Sequence, residues 1–312
     1  MMNNVAVITS ARLHMGFFDL KGGASRTFGS LGLSIDAPCT KIVVTKSDET
    51  AIDANCDENV VKIVENIVKL VNLEQKFSLK VLQSIPQHAG LGSGTQMALA
   101  IGAGLNALFN LNLTVSQIGK LSKRGSRSGI GIAAFEQGGV LVDGGKTSNE
   151  LPKIALRQVF PDNWRVLLIA DSSYTGVHGE VELQAFQSLK PAQHSLRTMI
   201  FDHMMPALQH PDLLAFGAYM ADLQAYNGDY FAPIQGGRYA SNDVANALFW
   251  LQQNGVACVG QSSWGPTGFA IVESEERANI MLKQLQQQFS GVNNISFQMV
   301  RGKNSGAVLT YS

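Results

Sequence analysis

The stretch Pro86-Gln-His-Ala-Gly90-Leu91-Gly92-Ser93-Gly94-Thr95 decides the fold. Residues 77–81 before it alternate as in a β-strand, and residues 97–108 after it carry apolar side chains at helical spacing. A helix that starts here leaves its first amides unpaired and partly positive, so the backbone of Gly90–Thr95 can bind a phosphate or pyrophosphate. No GKS or GKT sequence follows, which excludes an ordinary P-loop. The alternative is a tight turn with Ser93 as a simple helix cap.

Short β-type segments and amphipathic helical segments alternate along the rest of the chain. This alternation predicts a mixed α/β architecture, with a weakly marked boundary near residues 155–160 and therefore two domains, 1–157 and 158–312. The predicted strands include Val5–Thr9, Ile42–Thr45, Val140–Asp143, Val166–Ala170 and Phe269–Val272, and helices are predicted near 60–71, 211–226, 242–253 and 277–289.

Composition limits the class of function. The 312 residues are 45% hydrophobic, and 24 basic residues balance 24 acidic ones, so no overall field favours nucleic acid or an anionic membrane. The three cysteines form no zinc-type cluster and indicate no disulfide framework. No apolar run reaches the roughly 18 residues that span a bilayer, and the N-terminus does not resemble a signal peptide. We therefore expect a cytoplasmic protein that acts on small molecules.

A basic loop follows the predicted phosphate-binding turn. Lys123, Arg124 and Arg127 lie within five residues of each other, among glycines and serines. In a chain with no net charge, such a loop predicts a local anion site, for which Arg124 and Arg127 are the candidates. A solvated basic loop is the alternative.

Two further segments carry candidate substrate contacts. Gln261, Ser262, Ser263 and Trp264 lie among glycines between two strand-like runs, where Trp264 can wall a pocket for a flat ligand; a hairpin turn with a partly buried tryptophan is the alternative. Near the N-terminus, polar residues that include Arg12 and His14 are expected to end an apolar strand, the usual place for ligand contacts in α/β proteins. A histidine in such a place is more often structural.

Together these segments resemble the GHMP kinase superfamily, with its N-terminal Arg-containing motif, central PxxxGLGS loop and late glycine-containing loop. The resemblance implies an α+β GHMP-kinase fold: an N-terminal domain of the ribosomal protein S5 domain 2 type and a ferredoxin-like C-terminal domain. Two departures concern the chemistry. Gly94 stands where the kinases have a second serine near magnesium, and Gly131 stands where they have an aspartate that acts on the acceptor hydroxyl. Without that carboxylate, general-base assistance of roughly 10²–10⁴-fold is missing.

Four longer strings resemble a narrower family, the β-ribofuranosylaminobenzene 5'-phosphate synthases. They are ARLHMGFFDL, GLGSGTQMALA, RGSRSGIGIAAFEQGGVLVDGG and GQSSWGPTG, at residues 11–20, 90–100, 124–145 and 260–268. The resemblance implies condensation of phosphoribosyl pyrophosphate with 4-aminobenzoate or 4-hydroxybenzoate, with loss of carbon dioxide and pyrophosphate, in methanopterin biosynthesis. The rival hypotheses are an ATP-dependent small-molecule kinase and a ligand sensor without turnover.

The resemblance also implies magnesium bridging the phosphate oxygens. Asp19, Glu136 or Asp143 would bind the ion or face the sugar, and the sequence does not choose among these catalytic candidates. Arg12 or Arg26 would hold the benzoate carboxylate. Trp264 would stack on the aromatic ring. A homodimer is expected only because it is the commonest assembly.

Overall fold

The computed structural model describes residues 3–20, 28–54, 56–122, 125, 127–146, 151–177, 184, 186, 188–189, 192 and 194–312. These residues form two β-sheets with helices packed against them, so the α+β class is confirmed. Within this part of the chain, no helix combines the length and apolar character needed to cross a bilayer.

The first sheet has seven strands, and its centre is a long antiparallel pair. β1 pairs with β2 from Asn4 opposite Thr45 to Phe17 opposite Ser30. The strand order is β11-β1-β2-β4-β3, while β5 pairs with the other half of β2 and β6 pairs with β5. The strands are β1 (Asn4–Phe17), β2 (Ser30–Lys46), β3 (Ala51–Ile52), β4 (Phe77–Gln83), β5 (Val140–Asp143), β6 (Ile154–Gln158) and β11 (Val308–Tyr311).

The expectation that polar residues end the first strand is wrong. β1 continues through Arg12 and His14 to Phe17, because register shifts between Ser10 and Arg12 and between His14 and Gly16 let pairing resume after each irregularity. The two polar side chains therefore project from a strand with fixed backbone partners.

Four helices accompany the first sheet: α1 (Glu58–Leu70), α2 (Ser93–Phe109), α3 (Val115–Leu121) and α4 (Ile130–Glu136). α2 packs on β1 and β2, and its central turns are buried. α3 begins with a capping box in which Thr114 and Gln117 satisfy each other's backbone amides, as their spacing predicts. The helix that follows the glycine-rich turn is thus held on the sheet along its length.

The second sheet has the order β10-β7-β9-β8, all antiparallel. Its strands are β7 (Arg165–Asp171), β8 (Cys258–Gln261), β9 (Gly268–Val272) and β10 (Ile295–Val300). A π-helical turn (Met199–Met204) leads into α5 (Met205–Gln209), followed by α6 (Leu213–Gln235), α7 (Asn242–Gln253) and α8 (Glu275–Gln288). β8 and β9 form a hairpin, which confirms that the Trp264 segment is a hairpin turn.

The two sheets share one hydrophobic core. Buried Leu33 of the first sheet, Phe216 of α6 and Phe269 of the second sheet belong to a single cluster. The predicted domain boundary at 157/158 falls at the end of β6, just before the second sheet begins with β7, but β11 returns to pair with β1. The site described next lies where the two sheets meet.

Candidate functional site

A cleft of about 250 Å³ opens at the N-terminus of α2. The glycine-rich turn, β1, the basic loop and the β8–β9 turn surround it, so four segments that are distant in sequence converge there. Its lining comprises Arg12, His14, Phe17, His88, Gly90, Gly92, Ser93, Gly94, Thr95, Gly125, Arg127, Ser128, Val177, Ser263, Trp264 and Gly265.

The glycine-rich turn has the backbone geometry of an anion cradle. Gly90 and Gly92 have φ angles of 77° and 82°, a region that disfavours other residues. Gly92 is the N-cap of α2 and no side chain caps the helix, so the alternative of Ser93 as a simple cap is wrong. In the described part of the chain, no group accepts a hydrogen bond from the backbone N–H of Ser93 or Gly94. These two amides lie at the N-terminal end of α2, which carries partial positive charge.

Both halves of the chain hold this turn in place. The Gly90 carbonyl accepts hydrogen bonds from Arg12 Nη1 (2.8 Å) and from Ser262 Oγ (2.7 Å). Ser262 Oγ also accepts a hydrogen bond from the backbone N–H of His14 at 2.9 Å, and Ser263 N donates to the His14 carbonyl at 2.8 Å. A Cβ at Gly90 would lie 2.4 Å from the Ser262 carbonyl oxygen, so only glycine allows this approach.

His14 is a neutral imidazole in the wall of the cleft. Only 4% of the residue is exposed, and its ring centre lies 4.5 Å from that of Phe17. Burial, followed by the positive charges of Arg12 and Arg127, lowers its pKa to about 3. Among the residues described, none accepts from or donates to Nδ1. At neutral pH the side chain can form hydrogen bonds, but it carries no charge.

The basic loop contributes Arg127 to the cleft. Its guanidinium lies over the Phe186 ring, 5.1 Å from the ring centre, in a cation–π contact. Arg127, a candidate for the predicted anion site, therefore lines the same cleft as the glycine-rich turn. Arg124 and Arg26, the other predicted basic residues, lie outside the described residues.

Aromatic side chains form a further part of the cleft wall. Trp264 is 5% exposed and packs against Phe231, with ring centres 4.3 Å apart. Phe186 meets Phe17 and Trp264 edge-to-face, at 5.8 and 5.6 Å. Phe17 and Trp264 both line the cleft, so this wall can contact a flat apolar ligand.

The predicted carboxylates do not line the cleft. Asp143 is fully buried, and its oxygens accept hydrogen bonds from the protein on all sides; burial raises its pKa. Asp19 Oδ2 lies 3.5 Å from Arg197 Nη2. Glu136 is the last residue of α4 and is exposed. About 9 Å of helix separates it from Ile130, the first residue of α4. None of these three carboxylates is among the described residues that line the cleft.

Position 131 has no room for the missing kinase aspartate. A Cβ on Gly131 would lie 2.9 Å from Thr95 Cγ2, closer than side chains pack. Gln96, which is fully buried, donates to the Gly131 carbonyl at 2.8 Å and ties α4 to the first turn of α2. The glycine thus allows the two helices to meet behind the cradle.

The described residues do not form a protein metal site. No group of three or more histidine, cysteine, aspartate or glutamate side chains among them has a suitable arrangement. Magnesium prefers oxygen ligands and commonly binds through one or two carboxylates together with substrate phosphates. Since no described carboxylate lines the cleft, the donors present there do not fit a protein-held magnesium ion.

The remaining predicted residues, Leu91 and Gln261, are not in the lining of the cleft. Leu91 is buried in the shared core, and Gln261 accepts a hydrogen bond from Ala240 N beside the cleft. Sequence reasoning did not select Phe17, Val177 or Phe186, because an apolar residue in a strand or loop carries no chemical signal before its neighbours are known.

Comparisons with known proteins agree with this architecture. The models of the GHMP kinase N-terminal and C-terminal domains match residues 58–139 and 204–291. β-Ribofuranosylphenol 5'-phosphate synthase of Archaeoglobus fulgidus is 32% identical over 284 residues, which cover 85% of this chain and 87% of that protein. The Methanocaldococcus jannaschii protein of the same name is 30% identical over 306 residues, with coverages of 87% and 91%. Homoserine kinase of Cytophaga hutchinsonii has the same fold, with a TM-score of 0.65 at 18% identity over 99% of this chain and 98% of that one.

Proposed function

Because the chain belongs to the β-ribofuranosylphenol 5'-phosphate synthase family, within the GHMP kinase superfamily, we propose that it condenses phosphoribosyl pyrophosphate with a 4-substituted benzoate. The acceptor is 4-hydroxybenzoate or 4-aminobenzoate, and carbon dioxide and pyrophosphate are released. The product serves tetrahydromethanopterin biosynthesis.

The reaction breaks the bond from C1 to pyrophosphate and the bond from the ring to the carboxylate, and it forms one bond between the ring carbon and C1. The bond between the ribose C1 and the pyrophosphate oxygen breaks, and the oxygen keeps the electron pair. The ring carbon that bears the carboxylate forms a bond to C1, and the bond to the carboxylate then breaks with its electrons returning to the ring. Since carbon dioxide leaves in place of a proton, no base has to remove a proton from the attacking carbon.

One observation carries the proposal: the described lining of the cleft has two guanidinium groups and two histidines but no carboxylate. In the kinases that this fold resembles, an aspartate acts on the acceptor hydroxyl, and the described lining of the cleft has no carboxylate for that role. A decarboxylating condensation needs groups that can bind an anion and an apolar wall for the ring, and the cleft offers two guanidinium groups together with Phe17 and Trp264. The composition of the cleft therefore favours condensation over phosphoryl transfer.

The cradle and the arginines are proposed to hold the leaving diphosphate. The amides of Ser93 and Gly94 supply hydrogen bonds aimed at an anion, and Arg12 and Arg127 supply positive charge. Arg12, a candidate for the benzoate carboxylate in the sequence, is assigned to the diphosphate because its guanidinium donates to the Gly90 carbonyl of the glycine-rich turn. As the bond to C1 breaks, negative charge grows on the diphosphate, so these groups stabilise the transition state more than the bound substrate.

The aromatic wall is proposed to hold the acceptor ring. Phe17 and Trp264 offer ring faces and edges to a benzoate, and their electron-rich faces also tolerate positive charge on the sugar. Neutral His14 lies between this wall and the two arginines, where its imidazole can exchange a hydrogen bond with the hydroxyl or amino substituent of the acceptor.

Magnesium stays a prediction of the family resemblance, and the steps above use only the protein's own groups. When bound to the diphosphate, the ion would neutralise part of its charge. The homodimer and the cytoplasmic location likewise stay predictions.

The deciding experiment follows both products. The purified protein is incubated with phosphoribosyl pyrophosphate and carboxyl-labelled 4-hydroxybenzoate or 4-aminobenzoate, and labelled carbon dioxide and pyrophosphate are measured together. We expect carbon dioxide and pyrophosphate to be released in equal amounts. The assay is run in parallel with and without added MgCl₂. Phosphorylation of an alcohol from ATP, with no carbon dioxide released from either benzoate, would contradict the proposal.

Substitution of Arg127 tests the assignment of the diphosphate. Hydrogen bonds to charged groups contribute about 1.5–3 kcal/mol, so Arg127→Ala should reduce kcat/KM for phosphoribosyl pyrophosphate by about tenfold or more. Arg124→Ala is expected to act in the same direction. Arg301→Ala is the matched control, because Arg301 forms an exposed ion pair with Glu275 outside the cleft. Wild-type kinetics in both loop variants would remove the loop from the site.

A further inference from the structure

Asp143 is the last residue of β5 and lies among hydrogen-bond donors inside the protein. None of its surface is exposed. Oδ2 accepts hydrogen bonds from Ser30 Oγ (2.6 Å), Ser128 Oγ (2.9 Å) and Gly129 N (2.9 Å), and Oδ1 accepts one from Gly145 N (2.9 Å). The carboxylate is therefore fully engaged with the protein and has no face toward the cleft.

Two of these four donors belong to the residues that directly follow Arg127. Ser128 and Gly129 are attached to the sheet through the Asp143 side chain, which places the end of the basic loop beside β5. A Cβ on Gly129 would lie 2.6 Å from the Pro152 carbonyl oxygen, so the loop also packs closely on the segment before β6. This attachment holds the backbone that immediately follows Arg127.

The hydrogen inventory gives Ser128 a supporting role. Ser30 Oγ and Ser128 Oγ also lie 2.7 Å apart, so the two hydroxyl hydrogens serve three contacts, the two with Asp143 and the one between the serines. Although Ser128 lines the cleft, its hydroxyl then has no hydrogen to offer an anion. Its backbone and side chain serve to fix the loop.

Burying an aspartate at position 143 costs free energy, and the packing of β5 does not require a carboxylate there. The other residues of β5, Val140, Leu141 and Val142, are apolar and buried, and burying a carboxylate costs free energy unless hydrogen bonds offset it. An apolar residue would fill the position but leave the Gly129 amide and both serines without this acceptor.

We propose that Asp143 is a positioning residue, which acts with Ser30 through Ser128 and Gly129 to direct Arg127 at the diphosphate. This inference rests on the proposed function for the identity of the anion. It replaces the expectation that Asp143 itself faces the sugar or a metal ion.

A double-mutant cycle tests the connection. The dissociation constant of inorganic pyrophosphate is measured by titration calorimetry for wild type, Asp143→Asn, Arg127→Ala and the double variant. The Asp143→Asn side chain has one acceptor oxygen in place of two and carries no charge, so it binds the four donors less strongly and weakens the attachment of the loop. We expect each single substitution to weaken pyrophosphate binding about tenfold, and the double variant to lie within about twofold of Arg127→Ala.

Asp171→Asn is the matched control. Asp171, the last residue of β7 in the second sheet, is also a buried aspartate, 7% exposed, and it accepts hydrogen bonds from the hydroxyls of Ser173 and Ser241. Its substitution should lower stability in urea but leave pyrophosphate affinity within about twofold of wild type. A purely structural role for Asp143 would give the same pattern as this control.

Two outcomes overturn the proposal: unchanged pyrophosphate affinity in Asp143→Asn, or the same loss in the presence and absence of Arg127. If Asp143→Asn does not fold, Ser30→Ala takes its place in the cycle, because Ser30 touches the carboxylate from outside the cleft. A wild-type protein that binds pyrophosphate but makes no product from phosphoribosyl pyrophosphate contradicts the proposed function and leaves this cycle interpretable.

Discussion

His14→Gln should change how the stability of the protein depends on pH. In the folded protein, burial and the charges of Arg12 and Arg127 lower the pKa of His14 from 6.5 to about 3. The unfolded chain binds a proton below pH 6.5 and the folded chain does not, so His14 contributes stability above pH 6.5 that is lost as pH falls toward 3. The loss is about 1.4 kcal/mol per pH unit, or about 2 kcal/mol at pH 5 relative to pH 8.

Urea unfolding at pH 5, 6, 7 and 8 measures this loss. The free energy of unfolding of wild type should fall toward pH 5 more steeply than that of His14→Gln or His14→Phe, with the difference growing by about 2 kcal/mol. Whatever packing either variant loses does not depend on pH, so it shifts the curve without changing the slope. A constant difference between wild type and both variants over this range would refute a neutral, buried His14.

Three further predictions concern the surroundings of the cradle. Ser262→Ala should destabilise the protein by about 1–3 kcal/mol in urea, because the buried His14 amide loses its acceptor, whereas Thr267→Val should cost little, since Thr267 Oγ1 has no partner among the described residues; equal losses would contradict this. Gly131→Asp should cost about 1–3 kcal/mol through overlap with Thr95 and gain no kinase activity, so a stable variant that phosphorylates an alcohol from ATP would refute the argument. Trp264→Leu should raise KM for the benzoate by roughly 2- to 12-fold, from about 0.5–1.5 kcal/mol of lost ring contact, with KM for phosphoribosyl pyrophosphate little changed; a reversed order would place the acceptor elsewhere.

The sequence predicted those parts of the fold that depend on local patterns. The strand Val140–Asp143 has the predicted bounds, and the helix after the glycine-rich turn and the capping box at Thr114 are where residue spacing placed them. Local patterns did not reveal the length of β1, because the continuation through Arg12 and His14 depends on pairing with Leu31–Ser34 of β2. Pairing between distant segments leaves no periodic trace in either one.

The candidate site shows the same division. The prediction that the backbone of Gly90–Thr95 binds an anion follows from glycine spacing and a helix start, and Gly90 and Gly92 have the φ angles that such a turn requires. The roles of carboxylates did not follow from the sequence, since an aspartate that anchors a loop and one that faces a ligand have the same letter. Asp143 was distinguishable only once Ser30, from another strand, was seen to donate to it.

The charge distribution of the cleft also constrains how the substrates lie. Arg12 and Arg127 favour the departing diphosphate but repel the positive charge that grows on C1. The sugar carbon is therefore better placed toward Phe17 and Trp264, whose ring faces attract a cation. A benzoate against that wall brings its own carboxylate to C1, and this carboxylate supplies the negative charge that no described lining residue provides. On this view the carboxylate of the acceptor supplies the missing negative charge before the acceptor reacts. This explains how the fold can do without a carboxylate at position 131.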